Sequence, residues 1–191
     1  MINVFDVCFS KEDKRLELAV KSAIEENPLS YPLGGDEYDP TYYYGYMCNH
    51  FNMDTLLEEH GYMITFDDVG DPLGIFEISH GDPITTGMDC RMVMERVLLI
   101  GAKYFMIFHN HPRDFAGDTV SILGAKDELV TRNIVMMGLV MGTPCVDHII
   151  IGTNNCEFMS MAEDTSVFQE EMEMYLNTMT LKEGEPDSGT E

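Results

Sequence analysis

Residues 103–112 read Lys-Tyr-Phe-Met-Ile-Phe-His-Asn-His-Pro, an apolar run of strand type that ends in two histidines separated by one residue. Side chains alternate along an extended chain, so His109 and His111 face the same side, and Pro112 stops the strand directly after them. In a random sequence, a pair with this spacing more often consists of satisfied core residues. Two imidazoles that leave the end of one buried strand together nevertheless form half of a metal site.

The composition indicates one globular domain with a hydrophobic core, because 45% of the 191 residues are apolar and 24% are charged. The net charge is −23, from 34 acidic and 11 basic residues. A nucleic-acid binder neutralises phosphates with clustered Lys and Arg, and this sequence has no such cluster. We therefore expect no direct nucleic-acid contact. An acidic, solvated surface is the simplest explanation of the charge, and a basic partner or peptide is the alternative.

The cysteines and the N-terminus bear on the cellular compartment. Five cysteines are an odd number without CxxC spacing, which suits reduced thiols better than disulfides or a Cys-based zinc site. The sequence has no apolar stretch of about 18 residues and no signal-peptide pattern. We expect a cytoplasmic protein with no membrane contact, and the sequence leaves its oligomeric state open.

Helical and strand patterns alternate along the chain, which predicts an α/β fold with a mixed sheet flanked by helices. A first helix is predicted because residues 10–13, Ser-Lys-Glu-Asp, resemble a capping box. The apolar residues at helical spacing behind that box are Leu16, Ala19, Val20, Ala23 and Ile24. A segment rich in Tyr, Pro and Gly then leads into a helix between Thr41 and Glu59.

The other predicted elements follow Glu59. Strands over 61–66 and 73–79 form a hairpin, and Asp89 caps a helix that Gly101 ends. After the histidine strand, the predicted elements are a helix over about 121–137, strands over 147–152 and 158–160, and a helix from Val167. This predicts a lead-in with the N-terminal helix over 1–58, a core over 59–160, a C-terminal helix over 161–182 and a disordered acidic tail over 183–191.

A catalytic zinc ion takes three protein ligands and keeps an open position for water. Asp127 is the first acidic residue on the helix after the histidine strand, and a helix that returns beside the strand end can bring its carboxylate to the histidines. Glu77 is the candidate general base, because it lies among apolar residues, where an acid without a function would be costly. An exposed edge-strand glutamate is the alternative interpretation.

These features resemble the JAB/JAMM (MPN+) zinc metallopeptidase domain, and within it the RadC-like branch, from about Glu59 to Gly152. Residues 77–81, Glu-Ile-Ser-His-Gly, resemble the glutamate strand of the family. Residues 109–112, His-Asn-His-Pro, resemble the metal motif of the branch, and residues 147–152, Asp-His-Ile-Ile-Ile-Gly, resemble its closing strand. The resemblance implies a single-domain JAB/JAMM-like fold, which is cytidine-deaminase-like.

The resemblance also implies a function. A Zn²⁺ ion would be held by His109, His111 and Asp127, with Glu77 as general acid/base for a zinc-activated water. The implied reaction is hydrolysis of a peptide or isopeptide bond in a peptide or protein substrate, and a ubiquitin-like or basic substrate remains open. RadC-like proteins are commonly labelled DNA repair proteins, so a repair-associated role is an alternative.

The chain departs from the family pattern after Pro112. Counting back from the closing strand keeps Asp127 as the ligand, with a loop about five residues longer than the family's, and puts Gly124 at the family's serine position. Asp118 is the alternative ligand. Ser121, or else Thr119, would supply the catalytic hydroxyl. Losing such an oxyanion donor typically costs about 10²- to 10³-fold in rate, so a binding module with reduced or absent turnover is a further alternative.

Overall fold

The computed structural model describes residues 1–25, 29–31, 38–81, 88–112, 124–153 and 157–183, and in it seven strands form one mixed sheet. The strands are β1 (Ile2–Ser10), β2 (Arg15–Ile24), β3 (His60–Phe66), β4 (Pro72–His80), β5 (Tyr104–His111), β6 (Cys145–Gly152) and β7 (Phe158–Ser160). The helices are α1 (Pro40–Phe51), α2 (Cys90–Ile100), α3 (Ala125–Met141), α4 (Met161–Asp164) and α5 (Val167–Glu183).

The strand order across the sheet is β2-β1-β4-β3-β5-β6-β7. β1 is parallel to β4 and β5 is parallel to β6, whereas the other neighbouring pairs are antiparallel. β3 therefore lies between β4 and β5, and Gly61 of β3 is paired with His109 of β5. This order decides which residues reach the histidines.

Helices cover both faces of the sheet. On one face, α1 buries Tyr43, Tyr46 and Met47 against the strands. On the other face, α2 and α3 pack their apolar side chains onto the sheet, including Val97 and Ile134. Each strand at the centre of the sheet is thus buried on both sides, which explains the nearly continuous apolar runs in the sequence. The prediction of a mixed sheet flanked by helices in a single-domain α/β fold is confirmed.

The predicted N-terminal helix is wrong, because the segment forms the β1–β2 hairpin. The contact expected of a helix cap exists, with the Asp13 amide donating to Ser10 Oγ at 3.1 Å, but it closes the turn of the hairpin. Leu16, Leu18 and Val20 also alternate with period two, so the sequence fits both structures. The pairing of β1 with β4 favours the extended conformation of this segment. A local sequence pattern cannot reveal that pairing.

The predicted elements of the central region are present. Asp89 caps α2 by accepting from the Arg91 amide at 2.9 Å, and Gly101 ends the helix with φ 74°, a conformation that favours glycine. α3 begins at Ala125 and continues to Met141. None of the helices in the described ranges is long and apolar enough to cross a membrane. The acidic tail beyond residue 183 lies outside the described residues.

Candidate metal centre

His109 and His111 end strand β5 with their rings directed at one point. Their Nε2 atoms are 2.8 Å apart, and the ring planes are inclined by 60°. His109 is 1% exposed. Burial, together with the nearby His148 and His111 rings, lowers the pKa of His109 despite the opposing effect of Asp127. His109 is therefore a neutral imidazole near pH 7, which is the form that binds metals.

Asp127, in the first turn of α3, directs its carboxylate at the same point. Oδ1 lies 3.6 Å from His109 Nε2, and Oδ2 lies 3.5 Å from His111 Nε2. Burial raises the pKa of Asp127. The hydrogen bond with His111, the nearby His109 and His111 rings and the Gly124 amide outweigh that effect and lower the pKa to about 2. The carboxyl group is therefore ionised, as a metal ligand must be.

Glu59 is a fourth acidic or basic side chain at this point, and it is not among the site residues that the sequence predicts. It is 7% exposed and immediately precedes β3. One carboxylate oxygen of Glu59 and one ring nitrogen each of His109 and His111 all lie within 4.8 Å of one another. The residue is close to the histidines because β3 is the strand that pairs with the end of β5.

The backbone around Glu59 is held by Asn110, the residue between the two histidines. The Asn110 side chain accepts from the His60 amide at 2.8 Å and donates to the Glu58 carbonyl at 3.1 Å. Asn110 is fully buried. It thus fixes the peptide groups on both sides of Glu59, which explains why an amide side chain suits the middle of the His-Asn-His sequence.

Glu77, the predicted acid/base, lies one strand further away. It is paired with Tyr62 of β3, and its carboxylate binds His60 Nδ1 at 2.9 Å and Lys21 Nζ at 3.2 Å. Burial raises the pKa of Glu77, but the hydrogen bonds from His60 and Lys21 outweigh it and lower the pKa. The Glu77 carboxylate is thus held by His60 and Lys21, and its role as general acid/base stays a prediction.

A second group that could hold a metal lies beside Glu77 and is more exposed. It consists of Glu58, His60 and His80, whose ligand atoms all lie within 4.8 Å of one another. His80 Nε2 is 2.7 Å from Glu58 Oε2, and the His60 and His80 rings are stacked with centroids 4.0 Å apart. Consecutive residues 58–60 thus contribute to two different groups, as alternation along an extended chain allows.

The fold and this arrangement define a class: a mixed α/β domain with two histidines and a carboxylate gathered at the end of a central strand. A family model described as the RadC-like JAB domain matches residues 38–166. The chain therefore belongs to the RadC-like JAB domain family.

The chain is also similar in sequence to curated UPF0758 proteins. A UPF0758 protein of Coprothermobacter proteolyticus is 28% identical over 141 residues, which are 74% of this chain and 54% of the relative. UPF0758 proteins of Listeria welshimeri and Listeria monocytogenes are each 37% identical over 73 residues, which are 38% of this chain and 30% of the relative. The chain spans about half, or less, of the length of these relatives.

The structure thus brings together His109, His111 and Asp127, while their role as metal ligands stays a prediction. Ser121, Thr119 and Asp118 lie outside the described residues, so their predicted roles also stay open. Gly124 is described, and it is the N-cap residue of α3, three residues before Asp127. Asp127, the residue selected by counting back from the closing strand, therefore lies beside the two histidines.

Proposed function

We propose that this protein is a zinc-dependent hydrolase of JAB type that cleaves peptide or isopeptide bonds. His109, His111 and Asp127 hold the zinc ion, and Glu59 is the general acid/base. The observation that carries the proposal is the convergence of two imidazole nitrogens and the Asp127 carboxylate at one point, with the buried carboxylate of Glu59 beside them.

The donor atoms suit zinc. Ligand atoms about 2.0–2.1 Å from a tetrahedral zinc ion are roughly 3.3 Å from one another. The corresponding separations here are 2.8, 3.5 and 3.6 Å, so only small side-chain adjustments are needed. Two histidines and one carboxylate are also a common ligand set of catalytic zinc, which leaves one position open for water or substrate.

When bound, zinc supplies a Lewis acid that polarises a carbonyl group and acidifies a water molecule. Glu59 takes up the proton of the attacking water and delivers it to the departing amine, so one carboxylate serves both steps. Asn110 keeps that carboxylate in place by holding the neighbouring peptide groups. Asp127 from α3 and His109 from β5 would hold the zinc ion beside that carboxylate.

The substrate is a peptide or protein on this proposal, and a basic substrate would be favoured by the net charge of −23. The same charge disfavours direct binding of nucleic acid. A non-catalytic binding role is the second candidate, and Gly124 is the observation that favours it, since glycine offers no hydroxyl to a developing oxyanion. Ser121 or Thr119 would have to supply that donor in an active enzyme.

The test compares wild type with Glu59→Gln, Glu77→Gln and His109→Ala. Zinc per chain is measured by elemental analysis after metal repletion and dialysis, and turnover is measured on a panel of fluorogenic peptides and isopeptides. We expect about one tightly held zinc in wild type, lost in His109→Ala. Glu59→Gln should keep zinc and lose about 10²- to 10⁴-fold in turnover, while Glu77→Gln, the matched carboxylate control, keeps both.

Other results would overturn or change the proposal. Folded wild type without zinc would overturn it. Zinc without turnover on any peptide or isopeptide would favour the binding role. Loss of turnover in Glu77→Gln but not in Glu59→Gln would return the acid/base role to Glu77. The ligand assignment is tested by Asp127→Ala and Asp118→Ala, of which only the first should release zinc.

A further inference from the structure

A chain of hydrogen bonds connects the two proposed ligands His109 and Asp127 behind the site. The Thr131 hydroxyl lies 2.7 Å from the Asp127 carbonyl oxygen and 2.6 Å from His148 Nδ1. His148 Nε2 lies 2.7 Å from His109 Nδ1. Thr131 and His148 are fully buried. The chain therefore runs from α3 through β6 to β5 without contact with solvent at its two middle members.

The two ends of this series of hydrogen bonds decide which atom donates and which accepts at each step. A backbone carbonyl only accepts, so the single hydroxyl proton of Thr131 points at Asp127. The Thr131 oxygen must then accept from His148, which puts the proton of that ring on Nδ1. His148 Nε2 is left with a lone pair, so it accepts from His109 Nδ1. Nε2 of His109 consequently carries a lone pair directed at His111 and Asp127.

The opposite direction is disfavoured. If Thr131 donated to His148, its oxygen would face the Asp127 carbonyl at 2.7 Å without a proton between them. His109 would then carry its proton on Nε2, where it would block metal binding. Each ring nitrogen of His148 has one partner, Thr131 at Nδ1 and His109 at Nε2, so a ring with one proton donates at one end and accepts at the other.

We propose that Thr131 and His148 are positioning residues that hold His109 in the Nδ1-protonated tautomer and thereby present its Nε2 lone pair to a metal ion. The consequence for metal binding rests on the proposed zinc site. The tautomer is a property of the metal-free protein, because the hydrogen bonds that select it all join atoms of the protein itself. Asp127 is then doubly involved: its side chain binds the metal, and its carbonyl sets the proton order that prepares the other ligand.

The tautomer is measured directly on metal-free, ¹⁵N-labelled protein by long-range ¹H–¹⁵N correlation of the histidine rings. We expect the Nδ1-protonated pattern for both His109 and His148 in wild type and in Thr131→Ser, which keeps the hydroxyl. Thr131→Val removes the acceptor of His148 and should produce a mixture of tautomers in both rings. An Nε2-protonated His109 in wild type, or an unchanged pattern in Thr131→Val, would overturn the inference.

The effect on the metal is measured as zinc affinity by competition with a chromophoric chelator. Thr131→Val should weaken zinc binding by about 10- to 100-fold, the usual cost of losing a partner of a metal-bound histidine, and Thr131→Ser should restore it. Thr65→Val is the matched control, since Thr65 is also fully buried and its hydroxyl donates to a backbone carbonyl, that of Gly74 at 3.0 Å. It should leave the affinity unchanged.

The two measurements separate this inference from the proposed function. If wild type binds no zinc while the metal-free tautomers are as expected, the proposed zinc site is overturned, whereas the positioning of His109 by Thr131 and His148 is supported. If wild type binds zinc but Thr131→Val weakens it no more than Thr65→Val does, the zinc site stands and the positioning role is overturned.

Discussion

Gly124 shows how a single residue constrains the site. Its amide donates to Asp127 Oδ2 at 3.2 Å, and a Cβ atom at this position would lie 2.7 Å from the same oxygen. The backbone has φ −81° and ψ 146°, which any residue can adopt, so the constraint is space and not conformation. The absence of a side chain at Gly124 therefore gives the Asp127 carboxylate the room that it occupies.

We predict that Gly124→Ala weakens zinc binding, because the new methyl group displaces the Asp127 carboxylate. A side chain forced off its preferred rotamer costs about 0.5–1.5 kcal/mol, which corresponds to roughly 2- to 13-fold in affinity. Gly45→Ala is the matched control, since a Cβ at Gly45 in α1 meets nothing within 4 Å. Chelator competition measures both variants, and equal affinities in Gly124→Ala and wild type would contradict the prediction.

At the scale of elements, α3 must be held in place because it carries Asp127. Arg132 of α3 binds Glu128 of its own helix at 2.9 Å and two residues of α5, Glu170 at 2.7 Å and Glu171 at 3.0 Å. Glu171 is 5% exposed, whereas Glu170 is on the surface. The pair Arg132–Glu171 is thus the shielded connection between α3 and α5, and the others are exposed to solvent.

We predict that Arg132→Met lowers the free energy of unfolding of the metal-free protein by about 1–3 kcal/mol, because it removes a charged hydrogen-bond donor from the buried Glu171. A double-mutant cycle by urea unfolding with Glu171→Gln should give a larger coupling energy than a cycle with Glu170→Gln, whose carboxylate is screened by water. Equal coupling energies in the two cycles would show that burial of Glu171 does not strengthen the contact.

Elements with strong local signals were predicted well, and those without them were not. α2 has a capping aspartate at its start and a glycine at its end, so its bounds could be deduced from the sequence. β1 and β2 have apolar residues that satisfy both a helical and an alternating period. Their conformation depends on the pairing of β1 with β4, in which Val4 lies beside Ile75, and local patterns do not encode a contact between residues so distant in sequence.

At the scale of the whole molecule, the net charge of −23 makes the folded chain repel itself. Ion pairs such as Lys21–Glu77 offset only a small part of this repulsion, since acidic residues outnumber basic ones by 34 to 11. A charge of this size also concentrates cations near the surface, which favours metal capture at low ionic strength.

We predict that the metal-free protein becomes more stable as salt is raised from 0.1 to 1 M, because the screening length falls from about 10 Å to about 3 Å. The melting temperature should rise to a similar extent in NaCl and in tetramethylammonium chloride if screening is the cause. A rise in NaCl alone would indicate specific binding of sodium, and a fall in both salts would mean that ion pairs outweigh the repulsion.

The sequence by itself determined the parts of this protein that depend on neighbours along the chain. Alternation on one strand directs His109 and His111 to one side, and counting back from the closing strand selects Asp127, on the next helix, as the preferred third ligand. Only the tertiary structure decided that Glu59, and not Glu77, lies beside the histidines. The physical reason is the order of the sheet: β3 pairs with β5 and separates it from β4, and hydrogen bonding between distant strands leaves no local pattern.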